Sequence, residues 1–392
     1  REITITNRLT RVSHTVASVL KDYSRLITLS FKMTSLRSLV LHNGSPRERM
    51  LVGVCNPLLD ISASVDEALL KKYALKPNDA ILADESHRPL YEELVANHTV
   101  EYIAGGSGQN TLRIAQWILP ERNITSFLGC VGNDIFSKTL EEKAREAGVH
   151  VVYEYSEKDA TGTCAVLITD GGKQRSLCAN LAAANHFSTA HIEKPQHKDL
   201  IHSADFYYIT GFFLTVNVDV ILTIAKHACE KNKLFMMNLN APFLVQFFKE
   251  KMMSVFGYID ILFGNDTEFE TFALEHKLAE KDNMDMKRVA LDITQMPKFN
   301  TNRQRIVIVT QGEKPVLVAH DGIVTEFPVI EVPKEKLVDT NGAGDAFVGG
   351  FIAQLLQGKP FESCIKCGIW AATHIIQMYG CTIPENVKYE EW

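Results

Sequence analysis

Asp339-Thr340-Asn341-Gly342-Ala343-Gly344-Asp345-Ala346-Phe347 is the stretch in which fold and chemistry can be read together. A strand end passes through a glycine turn into a helix, and the apolar helical pattern continues past Gly349 and Gly350 to Leu356. Glycines at such a junction let backbone N–H groups face outward, and the helix start adds the positive end of its dipole. A turn of this kind binds phosphate. Asp345 falls in the first helical turn beside that anion site. A carboxylate there can take the proton of a hydroxyl as its oxygen attacks phosphorus. The same residues also permit a plain Asn-Gly turn followed by a helix-start aspartate with no chemistry.

Outward from this stretch, short apolar strands alternate with amphipathic segments. Strands are expected over 50–54, 206–210, 234–238, 259–263 and 306–310, and helices between them, for example over 218–231 and 267–275. This rhythm predicts an α/β fold with a mainly parallel sheet covered by helices on both faces. Two regions break it: 59–65 alternates apolar with small or polar residues, and 163–169, Asp170-Gly171-Gly172 and 175–179 read as a hairpin. They are expected to form a small antiparallel β-layer, a lid built mainly from about 57–66, 100–105 and 150–182 within one folded region over 49–392. Such a lid excludes water from phosphoryl transfer.

Composition narrows the classes. The 392 residues are 46% hydrophobic and 22% charged, which suits a globular core. A net charge of −6 argues against a nucleic-acid surface, and no apolar run reaches the roughly 18 residues of a membrane span. Eight scattered cysteines read as reduced core thiols of a cytoplasmic protein. Cys364 and Cys367, with no second pair to complete a zinc site, read as helical packing at i, i+3. Asn97, Asn123 and Asn265 open glycosylation sequons that read as chance matches. Residues 1–48 are rich in Arg, Ser and Thr and poor in acids; they are read as an extension outside the fold, with a mitochondrial transit peptide as the alternative.

The stretch 339–347 resembles the second signature of the ribokinase-like (PfkB) carbohydrate and nucleoside kinase family. Other features of that family follow in order: Gly105-Gly106-Ser107-Gly108-Gln109-Asn110, Asn265-Asp266-Thr267-Glu268 and Thr310-Gln311-Gly312. Finer matches at Asn56–Ser62, Thr161–Cys164, Arg175–Leu177, Ala179–Asn185, Gly211–Thr215 and Ile261–Asn265 are similar to the branch of the family that phosphorylates adenosine. The resemblance covers roughly residues 50–385. It implies a ribokinase-like fold and Mg²⁺-dependent transfer of the ATP γ-phosphate to the 5′-hydroxyl of adenosine, by a monomer, cytoplasmic or also nuclear, with no nucleic-acid or membrane partner.

Residue by residue, the resemblance implies Asp345 as general base, Gly342, Ala343 and Gly344 as anion hole, and Arg175 as a lid arginine reaching the transferred phosphoryl group. Asp60, read as lying just after a strand, would accept both ribose hydroxyls, since a carboxylate offers two acceptor oxygens to a cis-diol. Asn56, Gly105, Gly106, Ser107, Asn110 and Asn341 would complete the sugar site. Leu58, Cys164, Ala179, Leu181, Phe212 and Phe243 would surround the base. Asn265 and Glu268 would serve ATP and, through water, Mg²⁺, while Thr310 and Gly312 would contact the nucleotide. The stretch near Trp370, where relatives often place a ring by the ATP adenine, departs from the pattern.

Three other readings compete. A relative acting on another nucleoside or sugar would keep Asp60 and Asp345. A nicotinamide-dependent dehydrogenase would need a completed G-x-G-x-x-G, but Gly106 and Gly108 are followed by Asn110 and Leu112. A nucleoside-binding protein without activity would have no chemical need for Asp345. P-loop and protein-kinase strings are missing from the sequence.

Overall fold

Segments such as Ile306–Gln311 (IVIVTQ) and Leu51–Val54 (LVGV) carry apolar residues without alternation, and their apolar residues are buried on both faces of the strand. A strand covered by helices on either side requires that pattern. The computed structural model describes residues 50–172 and 174–391, so the extension 1–48 and Lys173 of the hairpin lie outside the described residues.

The strands, in chain order, are β1 Leu51–Val54, β2 Leu58–Ser64, β3 Ala80–Leu82, β4 Glu101–Gly105, β5 Thr125–Gly132, β6 His150–Ser156 and β7 Thr163–Thr169. They continue with β8 Gln174–Asn180, β9 Phe206–Thr210, β10 Leu234–Asn238, β11 Ile261–Asn265, β12 Ile306–Gln311, β13 Lys314–His320 and β14 Ile323–Phe327. A nine-stranded sheet has the order β14-β13-β12-β11-β10-β9-β1-β5-β6. From β12 to β6 every pairing is parallel; the β12–β13 and β13–β14 pairings are antiparallel, so β13 is the reversed strand. Alternate residues of one strand enter different cores. Val52, Tyr207 and Ile209 pack on one face, and Leu51, Phe206 and Tyr208 on the other. The expected doubly covered parallel sheet is therefore the observed one.

The second sheet has the order β3-β8-β7-β2-β4. The hairpin of β7 and β8 is in place, with Thr163 opposite Asn180 and Thr169 opposite Gln174. Three expectations about this layer need correction. It is mixed rather than antiparallel, because β2 pairs with β7, and β3 with β8, in parallel. The chain leaves β2, runs through the large sheet and returns as β7, and a long connection of that kind permits parallel pairing. Residues 150–156, expected in the lid, form β6 and pair with β5 in the large sheet. The unit β5–helix Ile135–Glu146–β6 makes an ordinary parallel crossover. Asp60, read as following a strand, lies inside β2.

Helices Ser107–Ile118, Ala343–Leu356 and Phe361–Ile375 pack together behind the large sheet. A side chain at Gly349 would meet Ile114 at 2.7 Å, and one at Gly350 would meet the carbonyl of Cys367 at 2.5 Å. These two positions let the middle helix touch both neighbours. Cys364 and Cys367 are buried and unbridged on the last helix, as i, i+3 packing implies. Trp370 is also a packing residue, with its ring centroid 5.0 Å from Trp117, 4.4 Å from His374 and 5.2 Å from Tyr389. Far from this helix trio, fully buried Arg305 donates to the carbonyls of Phe256, Ile259, Ile293, Met296 and Pro297. Its guanidinium lies 4.2 Å above the ring of Phe256. Among the described residues no helix is long and apolar enough to cross a membrane.

Candidate active site

The carboxyl ends of parallel strands converge on one cleft, where open α/β sheets place their ligands. Asn56 follows β1, Thr210 ends β9, Asn238 ends β10 and Asn265 ends β11. All four line a cavity of about 640 Å³ that lies between the two sheets.

Asp345 sits at its floor, in the first turn of helix Ala343–Leu356. The Ser107 hydroxyl donates to its Oδ1 at 2.6 Å, and Asn110 Nδ2 to its Oδ2 at 3.2 Å. Asn240 Nδ2 in turn donates to Ser107 Oγ at 3.0 Å. This chain fixes the carboxylate from two elements. Burial raises its pKa to about 6, against the pull of the Ser107 and Asn110 hydrogen bonds. That value lies near the working range of a general base. Gly342, just before the helix, has φ +73°, a conformation open to glycine at little cost. Gly344 has open space where a side chain would point. The start of this helix lines the cleft, with the Ala343 N–H turned back to the Thr340 carbonyl at 3.3 Å.

Asp60 faces the same cavity from the small sheet. Burial, then the charge of Asp345, push its pKa up to about 8, with Arg175 pulling it down. Gly105 does not line the cavity but makes room for this carboxylate, since a Cβ there would sit 2.3 Å from it. Gly106, at φ +87°, brings its backbone so close to Asn56 that a Cβ would lie 2.3 Å from the Asn56 carbonyl oxygen. The buried Oδ1 atoms of Asn56 and Asn110 have no hydrogen-bond partner. Buried acceptors without a donor are uncommon, and two beside Asp60 mark a place for a ligand rich in hydroxyl groups.

Around Asp60 the wall formed by the small sheet is apolar. Leu58, Cys164, Ala179, Leu181 and Phe212 line it as expected, joined by Ile81 and Leu82 of β3 and by Leu177. Burial, reinforced by the charge of Asp60, holds the Cys164 thiol protonated. Phe243 stands behind this wall, its ring 6.3 Å from that of Phe212, and does not line the cavity.

Asn265 and Glu268 also face the cleft, locked in a reciprocal helix cap. Asn265 Oδ1 accepts the Glu268 N–H at 2.8 Å, and Glu268 Oε2 accepts the Asn265 N–H at 2.9 Å. Burial lifts the Glu268 pKa to about 7. Thr310 lies one strand over, in register with Asn265, its hydroxyl donating to the Gly264 carbonyl at 3.3 Å. Thr310 and Gly312 are outside the cavity lining, with Gly312 shaping the turn between β12 and β13 at φ +59°. Arg175, which in isolation reads as a surface arginine, is buried. Its guanidinium pairs with Asp339 across the gap between the sheets.

The profile of the pfkB family carbohydrate kinases matches residues 67–388. The chain belongs to that family. It is 47% identical over 347 residues to adenosine kinase 2 of Arabidopsis thaliana, covering 88% of this chain and 99% of the relative. It is 42% identical to the adenosine kinase of Schizosaccharomyces pombe, with 86% and 96% covered. Among solved structures it resembles Anopheles gambiae adenosine kinase in complex with P1,P4-di(adenosine-5) tetraphosphate. There the TM-score is 0.82 and the identity 51%, with 85% of this chain and 96% of that one covered. The adenosine kinase of Schistosoma mansoni with 2-fluoroadenosine gives 0.82 at 36% identity, with 86% and 97% covered.

Several residues of this pfkB site escaped sequence reading. Asn240 is one, at φ +67° just after β10, with its Oδ1 accepting the Gly211 N–H at 2.7 Å. An Asn-Leu-Asn run at a strand's carboxyl end was the available signal. Ile81 and Leu82 lie on a strand of three residues, too short to show a period. Asp339 was quoted within the signature but given no role.

Proposed function

We propose that this chain is an adenosine kinase that transfers the γ-phosphate of ATP to the 5′-hydroxyl of adenosine, giving AMP and ADP for purine salvage. The observation that carries the reading is a pair of carboxylates, buried Asp60 and half-buried Asp345, facing one cleft with an apolar wall on one side and a helix start on the other.

In this reading the adenine rests between Leu58, Cys164, Ala179, Leu181 and Phe212, backed by Phe243. Apolar burial of a flat base contributes on the order of 25 cal/mol per Å². Asp60 accepts the 2′- and 3′-hydroxyls, Asn56 and Asn110 border the sugar, and Gly106 keeps the backbone close. The 5′-hydroxyl then points to Asp345. Its oxygen forms a bond to Pγ while the bond from Pγ to the β,γ-bridging oxygen breaks; its proton passes to Asp345, and ADP leaves. Backbone N–H groups of Gly342 and Gly344, with Ala343 between them and the Asn341 side chain before them, hold the phosphoryl oxygens. Arg175 offsets their negative charge. Thr310 and Gly312 border the nucleotide.

Mg²⁺ fits this set of residues. Among the described residues no group of three or more His, Cys, Asp or Glu forms a cage. Magnesium, however, is commonly held by one or two carboxylates, waters and the substrate's phosphates. Glu268, buried at the cleft with Asn265, would hold it through water. When bound, the ion neutralises phosphate charge. The unbridged cysteines suit a cytoplasmic enzyme.

The test is phosphate transfer from ATP with adenosine, inosine or ribose as acceptor, with and without magnesium. Adenosine should be strongly preferred, and AMP and ADP should form in equal amounts. Transfer to ribose as fast as to adenosine would refute the base pocket, and no transfer to any acceptor would refute the reading.

A further inference from the structure

Asp339 is a buried charge that the chemistry above leaves without a task. It is fully shielded from solvent. Its Oδ1 accepts the N–H of Asn341 at 2.6 Å, its Oδ2 accepts the N–H of Gly380 at 2.7 Å, and its carboxylate pairs with Arg175. These partners come from three separate pieces of chain. Asn341 is in the phosphate turn, Gly380 follows helix Phe361–Ile375, and Arg175 is in β8 of the small sheet. An aspartate that merely shaped its own turn would need only the Asn341 contact. Burying a carboxylate and a guanidinium together gains little stability over an apolar pair, so the arrangement is better explained by the geometry it imposes. Arg175 and Asn341 both line the active cleft, and Asp339 stands behind them.

We propose that Asp339 is a positioning residue for phosphoryl transfer, whose one carboxylate sets the Asn341–Gly344 turn and holds Arg175 of the small sheet against it. The linkage couples the seating of the small sheet to the shape of the anion site, so the two form together. The inference rests on the kinase reading only in taking phosphate as the group the turn receives.

The test uses the full chain with Asp339→Asn, Arg175→Gln and the double variant. Asparagine keeps the shape and one acceptor, but it turns an amide donor toward either the Gly380 N–H or Arg175. Asp339→Asn should lower kcat by about 10–100-fold, the usual range for outer-shell positioning groups. KM for adenosine should change by less than about threefold. Backbone amides of 174–180 and 341–344 should exchange faster. In the Arg175→Gln background the same substitution should add less than about threefold, since the two residues act as one unit. A merely structural aspartate would lower the fraction folded, leave kcat per folded molecule within about twofold and multiply independently with Arg175→Gln; that outcome overturns the proposal. If Asp339→Asn does not fold, Arg175→Gln alone decides: faster exchange at Asn341 and Gly380 supports the linkage, and unchanged exchange refutes it. Absence of phosphate transfer by the unsubstituted chain would sink the functional reading only, because the exchange measurement needs no turnover.

Discussion

Adenosine should bind this protein more weakly as the pH falls from 8 to 6.5, and binding should expel a proton. Burial and the nearby charge of Asp345 raise the Asp60 pKa to about 8, so in the ligand-free protein the group is largely protonated at neutral pH. A cis-diol presents two donors, and only the ionised carboxylate offers an unencumbered acceptor to each. The binding-competent form is thus a minor one, and the apparent Kd is the intrinsic value divided by the ionised fraction. With a pKa near 8, Kd is multiplied by about 2 at pH 8, about 11 at pH 7 and about 33 at pH 6.5. Affinity should therefore drop about 15-fold between pH 8 and 6.5. The sign for stability is opposite in the free protein. A carboxyl raised above its unfolded value contributes stability that is full below about pH 4 and lost as pH rises through about 8. The thermal shift produced by adenosine should accordingly grow with pH. Titration calorimetry at pH 7 in two buffers of different protonation enthalpy should report about 0.9 proton released per adenosine. Asp60→Asn should bind weakly with no pH slope. A Kd that stays flat from pH 8 to 6.5, with no proton released, would refute the argument.

Other substitutions separate chemistry from fold. Asp345→Asn should bind adenosine at least as tightly as the parent, because it removes a charge that raises the Asp60 pKa, and lose about 10²–10⁴-fold in kcat; in the parent kcat should fall as pH drops below about 6, where Asp345 takes a proton. Near-normal turnover of that variant would remove Asp345 from the mechanism. Gly344→Ala should keep or raise Tm, since the site is helical and open, yet weaken ATP use because the methyl enters the anion site; unimpaired kcat/KM for ATP would contradict the phosphate placement. Gly106→Ala should behave in reverse and cost at least about 1 kcal/mol of stability in denaturant melts, as its φ and the Asn56 carbonyl both oppose a Cβ. Saturating adenosine should slow amide exchange across 59–65 and 163–179 more than ATP does, and identical exchange would rule out a small sheet that closes on the nucleoside.

Much of this was legible because the chemistry is written in contiguous strings. The turn at 339–347 and the capping box at 265–268 carry their geometry in four to nine neighbouring residues. Strands β9 and β10 were readable to the residue because each is a short apolar run closed by one polar residue, Thr210 or Asn238. What escaped depends on partners far apart in the chain. Nothing near Arg175 announces Asp339, and nothing near residues 150–156 says which sheet they join. Asp60 sits mid-strand because Gly105, on the neighbouring strand, vacates the space for its carboxylate. Trp370 reads as a candidate nucleotide contact until Trp117, on another helix, is seen stacked against it.

The five carbonyl contacts of Arg305 have a consequence for how sequence changes in this protein should be interpreted. Those oxygens close the ends of several chain segments far from the cleft, and each expects a donor. Lysine brings three donors on a single nitrogen and would leave carbonyls stranded in the interior, while shorter side chains would leave all of them stranded. A replacement here would therefore change how many molecules are present, and each surviving molecule would work at its normal rate. A survey that scored total activity in cells would rank Arg305 beside Asp345, and only normalising to the amount of folded protein would tell scaffold from chemistry.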